Sequence, residues 1–251
     1  MGPLVTWLLS TALALAPVVV PPAVNVAWDY QIGGVRTPPA GVAIVDRDRN
    51  ATPSGLYDIC YVNAFQTQPD ERAFWRKHHR GSLLLRHNGS LVVDGQWNEI
   101  LLDTSTAAKR DRLTTIVGRW IQGCAASGFD AVELDNLDSW TRSHHELSRR
   151  DARQFAMSLV GVAHAAGLAV AQKNAAGLLG SKDAIGFDFA IVEECAKYHE
   201  CREFVDAYAG RALLVEYRQK WFDAACSRVG SEVAVVRRDR GVTPGGPFES
   251  C

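Results

Sequence analysis

No lysine or arginine precedes Arg36. The run Leu4–Val20 is apolar or small throughout, so the apolar centre of an export signal is present without its basic flank. Ala14-Leu15-Ala16 fits a small-x-small cleavage pattern, and Pro17 and Pro21-Pro22 follow it. Residues 1–22 are therefore expected to be a secretory signal, leaving a single domain over 23–251. The run is short for a membrane-spanning helix and its prolines interrupt it, so no stable membrane insertion is expected once it is removed. Neither sign of charge is in excess: 27 basic against 28 acidic residues leave a net charge of -1. That gives no reason to expect a nucleic-acid partner. There is no CxxC, which argues against a zinc ribbon or a thioredoxin-like site. There is no GxGxxG or GxxxxGK[ST] after any strand, which ranks dinucleotide and phosphate binding low. Internal repeats and low-complexity linkers are also missing.

What is present is ordinary globular composition, 47% hydrophobic and 22% charged. The length of 251 residues suits one α/β barrel. Six cysteines, an even count, agree with an exported, disulfide-bonded chain. Cys195 and Cys201, close in sequence, are the first candidates to pair, and a Cys226–Cys251 bond would pin the tail. The partners of Cys60, Cys124, Cys226 and Cys251 stay open. Asn50-Ala51-Thr52 and Asn88-Gly89-Ser90 match the glycosylation sequon.

Short apolar runs alternate with helical segments. Candidate strands are Val26–Ile32, Gly41–Asp46, Leu56–Asn63, Glu99–Asp103, Phe129–Asn136, Leu168–Asn174, Phe187–Glu194, Ala212–Tyr217 and Glu232–Arg237. Their aliphatic content suits a parallel sheet covered on both faces. Thr106–Ala126 reads as a helix through Leu113, Ile116, Val117, Trp120, Ile121 and Cys124, and Gly128 can end it. Arg149–Ala166 reads as a second, with Ser148 and Asp151 resembling a capping box and Phe155, Leu159, Val162 and Ala166 as its stripe. The strand–helix order predicts an α/β fold with a (β/α)8 TIM-type barrel carrying an additional strand.

A barrel places its site at the C-terminal ends of its strands. Those ends are polar here: Asp46, Asn63, Asp103, Glu133-Leu134-Asp135-Asn136, Gln172-Lys173-Asn174, Glu193-Glu194 and Glu216-Tyr217. Side chains alternate along a strand, so Ala131, Glu133 and Asp135 share one face and Val132 and Leu134 the other. Glu133 and Asp135 should point into the barrel mouth. Parity alone leaves open whether Glu193 or Glu194 does so, and Glu133 could equally be held by a lumen lysine or arginine. Paired carboxylates across a substrate point to glycoside hydrolysis, with one as acid and the other as nucleophile or base. Trp28, Tyr30, Trp140, Tyr198 and Tyr217 are candidates to stack on sugar faces. His78-His79 and His144-His145 are adjacent pairs without a ligand set, and no metal or cofactor is expected.

The segment Gly128-Phe129-Asp130-Ala131-Val132-Glu133-Leu134-Asp135-Asn136-Leu137-Asp138 resembles the GFDG(V/I)(E/D)xDNxD signature of glycoside hydrolase family 114, the endo-α-1,4-polygalactosaminidases and their relatives. Glu193-Glu194-Cys195-Ala196-Lys197-Tyr198-His199-Glu200-Cys201 resembles that family's ExCxxYxEC motif. Leu168–Asn174 is similar to its KN strand, Glu216-Tyr217 to its EY strand end, and Trp28-Asp29-Tyr30-Gln31 to its first strand. The likeness runs in order from Trp28 to Tyr217. Val42–Asn50, reading VAIVDRDRN, departs from the family's YDID-like segment, with Asp46 and Asp48 matching it loosely. Val62-Asn63-Ala64-Phe65 replaces its Ser-Ala-Gly, which leaves the particular polymer open.

The resemblance implies a barrel with an added strand, a Cys195–Cys201 bond, and Asp135 and Glu193 as the catalytic pair. Asp135 would be the nucleophile or the base, and Glu193 the acid. It implies a secreted, endo-acting hydrolase, expected as a monomer, that cleaves cationic α-1,4-linked galactosamine polymers. Trp28, Asp29, Tyr30, Asn63, Asp103, Glu133, Asn136, Asp138, Lys173, Asn174, Tyr198, Glu216 and Tyr217 are expected to touch substrate. The alternatives are a secreted barrel that binds glycan without turnover, and a hydrolase of a different α-linked polysaccharide.

Overall fold

The computed structural model describes residues 17–77 and 80–251. Most of the expected leader, and His78-His79, lie outside the described residues. Of the leader's last residues, Val19 packs against the apolar cluster inside the barrel, and the Val20 carbonyl accepts a hydrogen bond from Tyr57 at 2.8 Å.

Eight parallel strands form the wall: β1 Trp28–Tyr30, β2 Ile44–Asp48, β3 Tyr57–Asn63, β4 Ala131–Asp135, β5 Ala169–Lys173, β6 Phe189–Glu193, β7 Ala212–Glu216 and β8 Val235–Arg237. They lie side by side in chain order, and β9 (Glu249–Ser250) adds an antiparallel edge on β8. The fold is thus the expected (β/α)8-type barrel with an added strand. One expectation is corrected. Glu99–Asp103 is not a barrel strand. Glu99–Leu101 pairs antiparallel with Gln66–Thr67 and Val93–Asp94 in a small sheet of its own. That sheet belongs to an excursion between β3 and the first long helix. The excursion also holds a hairpin, Arg86–His87 with Ser90–Leu91. Its turn residues Asn88 and Gly89 both take positive φ, the turn geometry that Asn-Gly favours. No helix stands between β1 and β2 or between β2 and β3.

Helix α1 (Ala107–Ser127) starts where the Thr106 side chain accepts the Lys109 N–H, and ends at Gly128, which takes the left-handed conformation at φ 93°. It buries Leu113, Val117, Ile121 and Cys124. Helix α2 (Arg149–Ala165) carries both hydrogen bonds of a Ser148–Asp151 capping box. It buries Ala152, Phe155, Ala156, Leu159, Val160 and Ala163. Helix α3 (Gln219–Val229) covers β7 and β8. The six cysteines form Cys60–Cys124, tying β3 to α1, Cys195–Cys201 just beyond β6, and Cys226–Cys251, pinning the tail to α3.

Strand alternation divides the core in two. Val132, Leu134, Val170, Ala190, Val192 and Leu214 face the helices. Trp28, Tyr30, Ile44, Ile59, Ala131, Ala171, Phe189, Ile191 and Val215 fill the barrel interior. The lower lumen is therefore a packed apolar plug, and polar chemistry is left to its upper end.

β8 comes against β1, but among the described residues no backbone ladder joins them. Arg238 bridges this seam instead. Its fully buried guanidinium meets Asp29 at 2.8 Å and donates to the carbonyls of Tyr30, Pro247 and Thr243. Asp29 is also clamped by Arg36, at 2.7 and 2.8 Å. Removing a partner from a buried ion pair leaves an under-compensated charge. Arg238→Met is therefore expected to lower stability by about 3 kcal/mol in chemical denaturation. A loss below about 1 kcal/mol would mean that the seam is held by other contacts.

Candidate active site

At the upper end of the plug, β5 delivers Lys173 onto the barrel axis. Ala169 and Ala171 lie in the interior, so alternation sends Lys173 there too. The side chain is almost wholly buried. Burial alone would strip it of its charge, but Asp135, Glu133 and Glu193 outweigh that and hold its pKa well above the ordinary lysine value. Its ammonium touches Glu133 and the Tyr30 hydroxyl, the latter at 2.8 Å, and lies 3.5 Å from Asp135 and 3.6 Å from Glu193.

Each carboxylate has its own clamp. Tyr61 donates to Asp135 Oδ2 at 2.7 Å, and Asn136 reaches the same oxygen at 3.5 Å. Tyr217 donates to Glu193 Oε1. Asn174 Nδ2 donates to Glu193 Oε2 at 3.2 Å and its Oδ1 accepts the Glu193 N–H at 2.8 Å. Asn136 and Asn174 directly follow β4 and β5, and both take positive φ, a conformation asparagine tolerates. Burial raises the pKa of Tyr61 and Tyr217 far above the ordinary tyrosine range, and the adjacent carboxylates add to it. Both hydroxyls therefore stay protonated as donors. Below them, Glu133 is fully buried; burial raises its pKa, while Lys173 pulls it back. Burial and the neighbouring Glu133 raise Asp46 well above the carboxylate range.

Asp135 and Glu193 line a cleft chamber of about 300 Å³ with Lys173, Tyr61, Asn136 and Tyr217. The excursion forms its far wall with Asp94, Gln96, Trp97 and Glu99. Burial and the charges of Asp135 and Asp94 push Glu99 up to about 7. Arg142 holds Asp94 and Asp138, at 2.8 and 2.9 Å. A second chamber of about 480 Å³ continues past Glu193 to Trp140, Tyr198 and Glu200.

Of the residues expected to touch substrate, Asn136, Asp138, Lys173, Asn174 and Tyr217 line the first chamber, and Tyr198 lines the second. Asn63 lies just behind, accepting from Asn136 at 3.0 Å. Tyr30 and Glu133 are buried beneath Lys173. Four expectations are corrected. Trp28 is sealed in the apolar plug. Asp29 has the opposite parity and is consumed by Arg36 and Arg238. Asp103 lies outside both chambers, held by Lys109 and Ser105. Glu216 shares parity with Leu214, which faces the helices, and is fully buried where it accepts the Ala196 N–H at 2.8 Å. It supports the loop after Glu193 rather than the cleft.

Tyr61, Asp94, Trp97, Glu99 and Arg142 are additions. Tyr61 was within reach of the alternation argument, sharing a face with Ile59 and Asn63. The others arrive on the excursion or a surface turn, where periodicity carries no signal. Among the described residues, the one metal-type cluster is Cys195, Cys201 and Glu216. Its two sulfurs are bonded to each other and cannot bind as thiolates.

The family model for glycoside-hydrolase family GH114 matches residues 10–251. The structure is similar to that of Aspergillus fumigatus Ega3 in complex with galactosamine, with a TM-score of 0.75 and 21% identity, over 93% of this chain and 98% of that one. It is similar to the glycoside hydrolase domain of PelA from Pseudomonas aeruginosa, with a TM-score of 0.63 and 16% identity, over 88% of this chain and 96% of that one. No curated protein matches the sequence.

Burial pushes Glu216 up to about 7 against the opposing Ala196 N–H. The folded chain therefore keeps this proton up to about pH 7, whereas an unfolded glutamate releases it near 4.3. Stability falls as pH rises across that window, because the folded state binds more proton. Glu216→Gln keeps an acceptor for Ala196 and cannot ionise. Between about pH 5 and 8 it is expected to lose less stability than the wild type, by on the order of 1–3 kcal/mol. Equal pH slopes in chemical denaturation would refute this.

Proposed function

The chain belongs to glycoside hydrolase family GH114, and from that premise we propose that it is a secreted endo-acting hydrolase of α-1,4-linked galactosamine polymers, working through Asp135 and Glu193. The observation that carries this reading is the meeting of two clamped carboxylates on one buried ammonium, in a cleft that extends to both sides of Glu193. An extended cleft suits attack within a chain. Its first chamber is lined by Asp94, Glu99, Asp135, Asp138 and Glu193 against Lys173, Arg142 and Arg240, an acidic excess that suits a cationic sugar. The galactosamine seen with Ega3 agrees with that substrate class. Three disulfides favour an oxidising compartment. No helix among the described residues is long and apolar enough to cross a membrane.

Asp135, which the resemblance makes nucleophile or base, faces Lys173 and accepts from Tyr61, and is assigned as the nucleophile. Glu193 gives its proton to the glycosidic oxygen as Asp135 attacks the anomeric carbon and the bond to the leaving sugar breaks. Water then attacks the same carbon, passes a proton to Glu193 and frees Asp135. Both carboxylates reach one ammonium, so the two oxygens nearest it lie at most about 7 Å apart. That limit admits the retaining range of about 5–5.5 Å, and retention is the outcome we propose.

Asp135→Asn and Glu193→Gln are expected to melt like the wild type and to lose at least about 100-fold in reducing-end release from α-1,4-galactosamine polymer. A fully N-acetylated polymer and an α-glucan serve as comparisons. Near-wild-type release by either variant would remove that residue from the assignment. No release by the wild type, with polymer still bound, would make the barrel a binding protein.

A further inference from the structure

The two chambers share Glu193, Asn174, Tyr217 and Trp97, but Asp135 lines only the first. This asymmetry has a chemical meaning. The group that protonates the glycosidic oxygen stands at the scissile bond. The nucleophile stands beneath the anomeric carbon, on the side of the sugar that stays attached. With Glu193 as acid and Asp135 as nucleophile, the first chamber holds the sugar whose anomeric carbon reacts. The second chamber lies on the side to which the leaving part of the chain departs.

The second chamber is furnished for sugar. Phe74, Trp97 and Tyr198 are the exposed large aromatics among the described residues, and two of them line it. Tyr198 is 57% exposed, although Lys197 already lies 4.7 Å from its ring centre. Trp97, 47% exposed, stands where the chambers meet, and Trp140 lines the second. Glu200 also lines this chamber, with no ion pair or side-chain hydrogen bond to any described residue. The chamber's guanidiniums are Arg149 and Arg240, and Arg240 is engaged by Glu194 at 3.0 Å. An unpaired carboxylate beside exposed aromatic rings suits a sugar with an apolar face and an ammonium group.

We propose that the polymer lies in the cleft with a fixed direction, its reducing-end portion beyond Glu193, where Tyr198 stacks on a departing sugar and Glu200 pairs with an ammonium group. This rests on the function proposed above and adds the chain's polarity and two residues that set the cleavage position. The Cys195–Cys201 bond closes the loop carrying both residues, so the platform is joined directly to the acid.

The test uses α-1,4-galactosamine oligomers of one length, labelled at the reducing end, with the wild type, Tyr198→Ala, Tyr198→Phe and Glu200→Gln. All four proteins are first compared by thermal melting. Weakening sites on the reducing-end side favours binding registers that leave fewer sugars there. Tyr198→Ala and Glu200→Gln are expected to move cleavage toward the label, raising the ratio of short to long labelled fragments roughly fivefold, the factor for about 1 kcal/mol. Tyr198→Phe, which keeps the ring, is expected to give the wild-type pattern. Longer labelled fragments from the first two variants would reverse the polarity and overturn the proposal. An unchanged pattern would overturn it by showing that no sugar binds there. No cleavage of the oligomers by the wild type would sink the functional reading and this one with it, whereas cleavage without a shift would sink this one alone.

Discussion

An ammonium group at the centre of a protein is costly unless carboxylates surround it, and Lys173 is surrounded by Glu133, Asp135 and Glu193. That constraint organises the upper half of the barrel. Glu133 lies below and takes the direct ion pair. Asp135 and Glu193 lie above, slightly farther away, where the cleft reaches them. Because both face the same cation, each arrives with its orientation set, and Tyr61, Asn174 and Tyr217 complete the fixation. The apolar plug beneath keeps water from screening these interactions, and its tight packing limits how far Lys173 can move.

One layer down, Asp46 is fully buried, and neither of its oxygens finds a donor among the described residues. Glu133 Oε2 is in the same condition. Two ionised carboxylates could not stand together there. Burial and the charge of Glu133 leave the proton on Asp46, which can then donate to Glu133. The loosely matched aspartate of the second strand is thus part of the support beneath Lys173. The seam at Arg238 serves the barrel in another way. It replaces a missing backbone ladder between β8 and β1 with a side chain that satisfies carbonyls from both sides.

The cleft walls have a different origin from its floor. Strand ends supply the floor, and their positions follow from the barrel. The excursion between β3 and α1, together with the loop after β6, supplies Asp94, Trp97, Glu99, Tyr198 and Glu200. Under the proposed function, chemistry sits on rigid strands and the contacts to polymer sit on loops. The Ser-Ala-Gly departure at Val62-Asn63-Ala64-Phe65 sits where β3 turns into the excursion, next to this wall.

Local sequence was enough for the elements whose side chains repeat. Alternation placed Ala131, Glu133 and Asp135 on the lumen face, and helical spacing with caps gave α1 and α2 almost to the residue. Polar strand ends marked the end of the barrel where the proposed site lies. The same alternation, applied to β1 and β7, would have turned Asp29 and Glu216 away from the lumen, because Trp28, Tyr30, Val215 and Tyr217 have the other parity. Which parity faces inward, however, is a property of the curled sheet. Tertiary structure also decided that Glu99–Leu101 leaves the barrel, since a three-residue apolar strand reads alike in a parallel wall and an antiparallel excursion. It decided that Lys173 meets three carboxylates from β4 and β6, and that Arg238 meets Asp29 across most of the chain's length. Periodicity reports which face a residue occupies on its own element. Which faces meet is settled only when the sheet curls and brings distant strands into register.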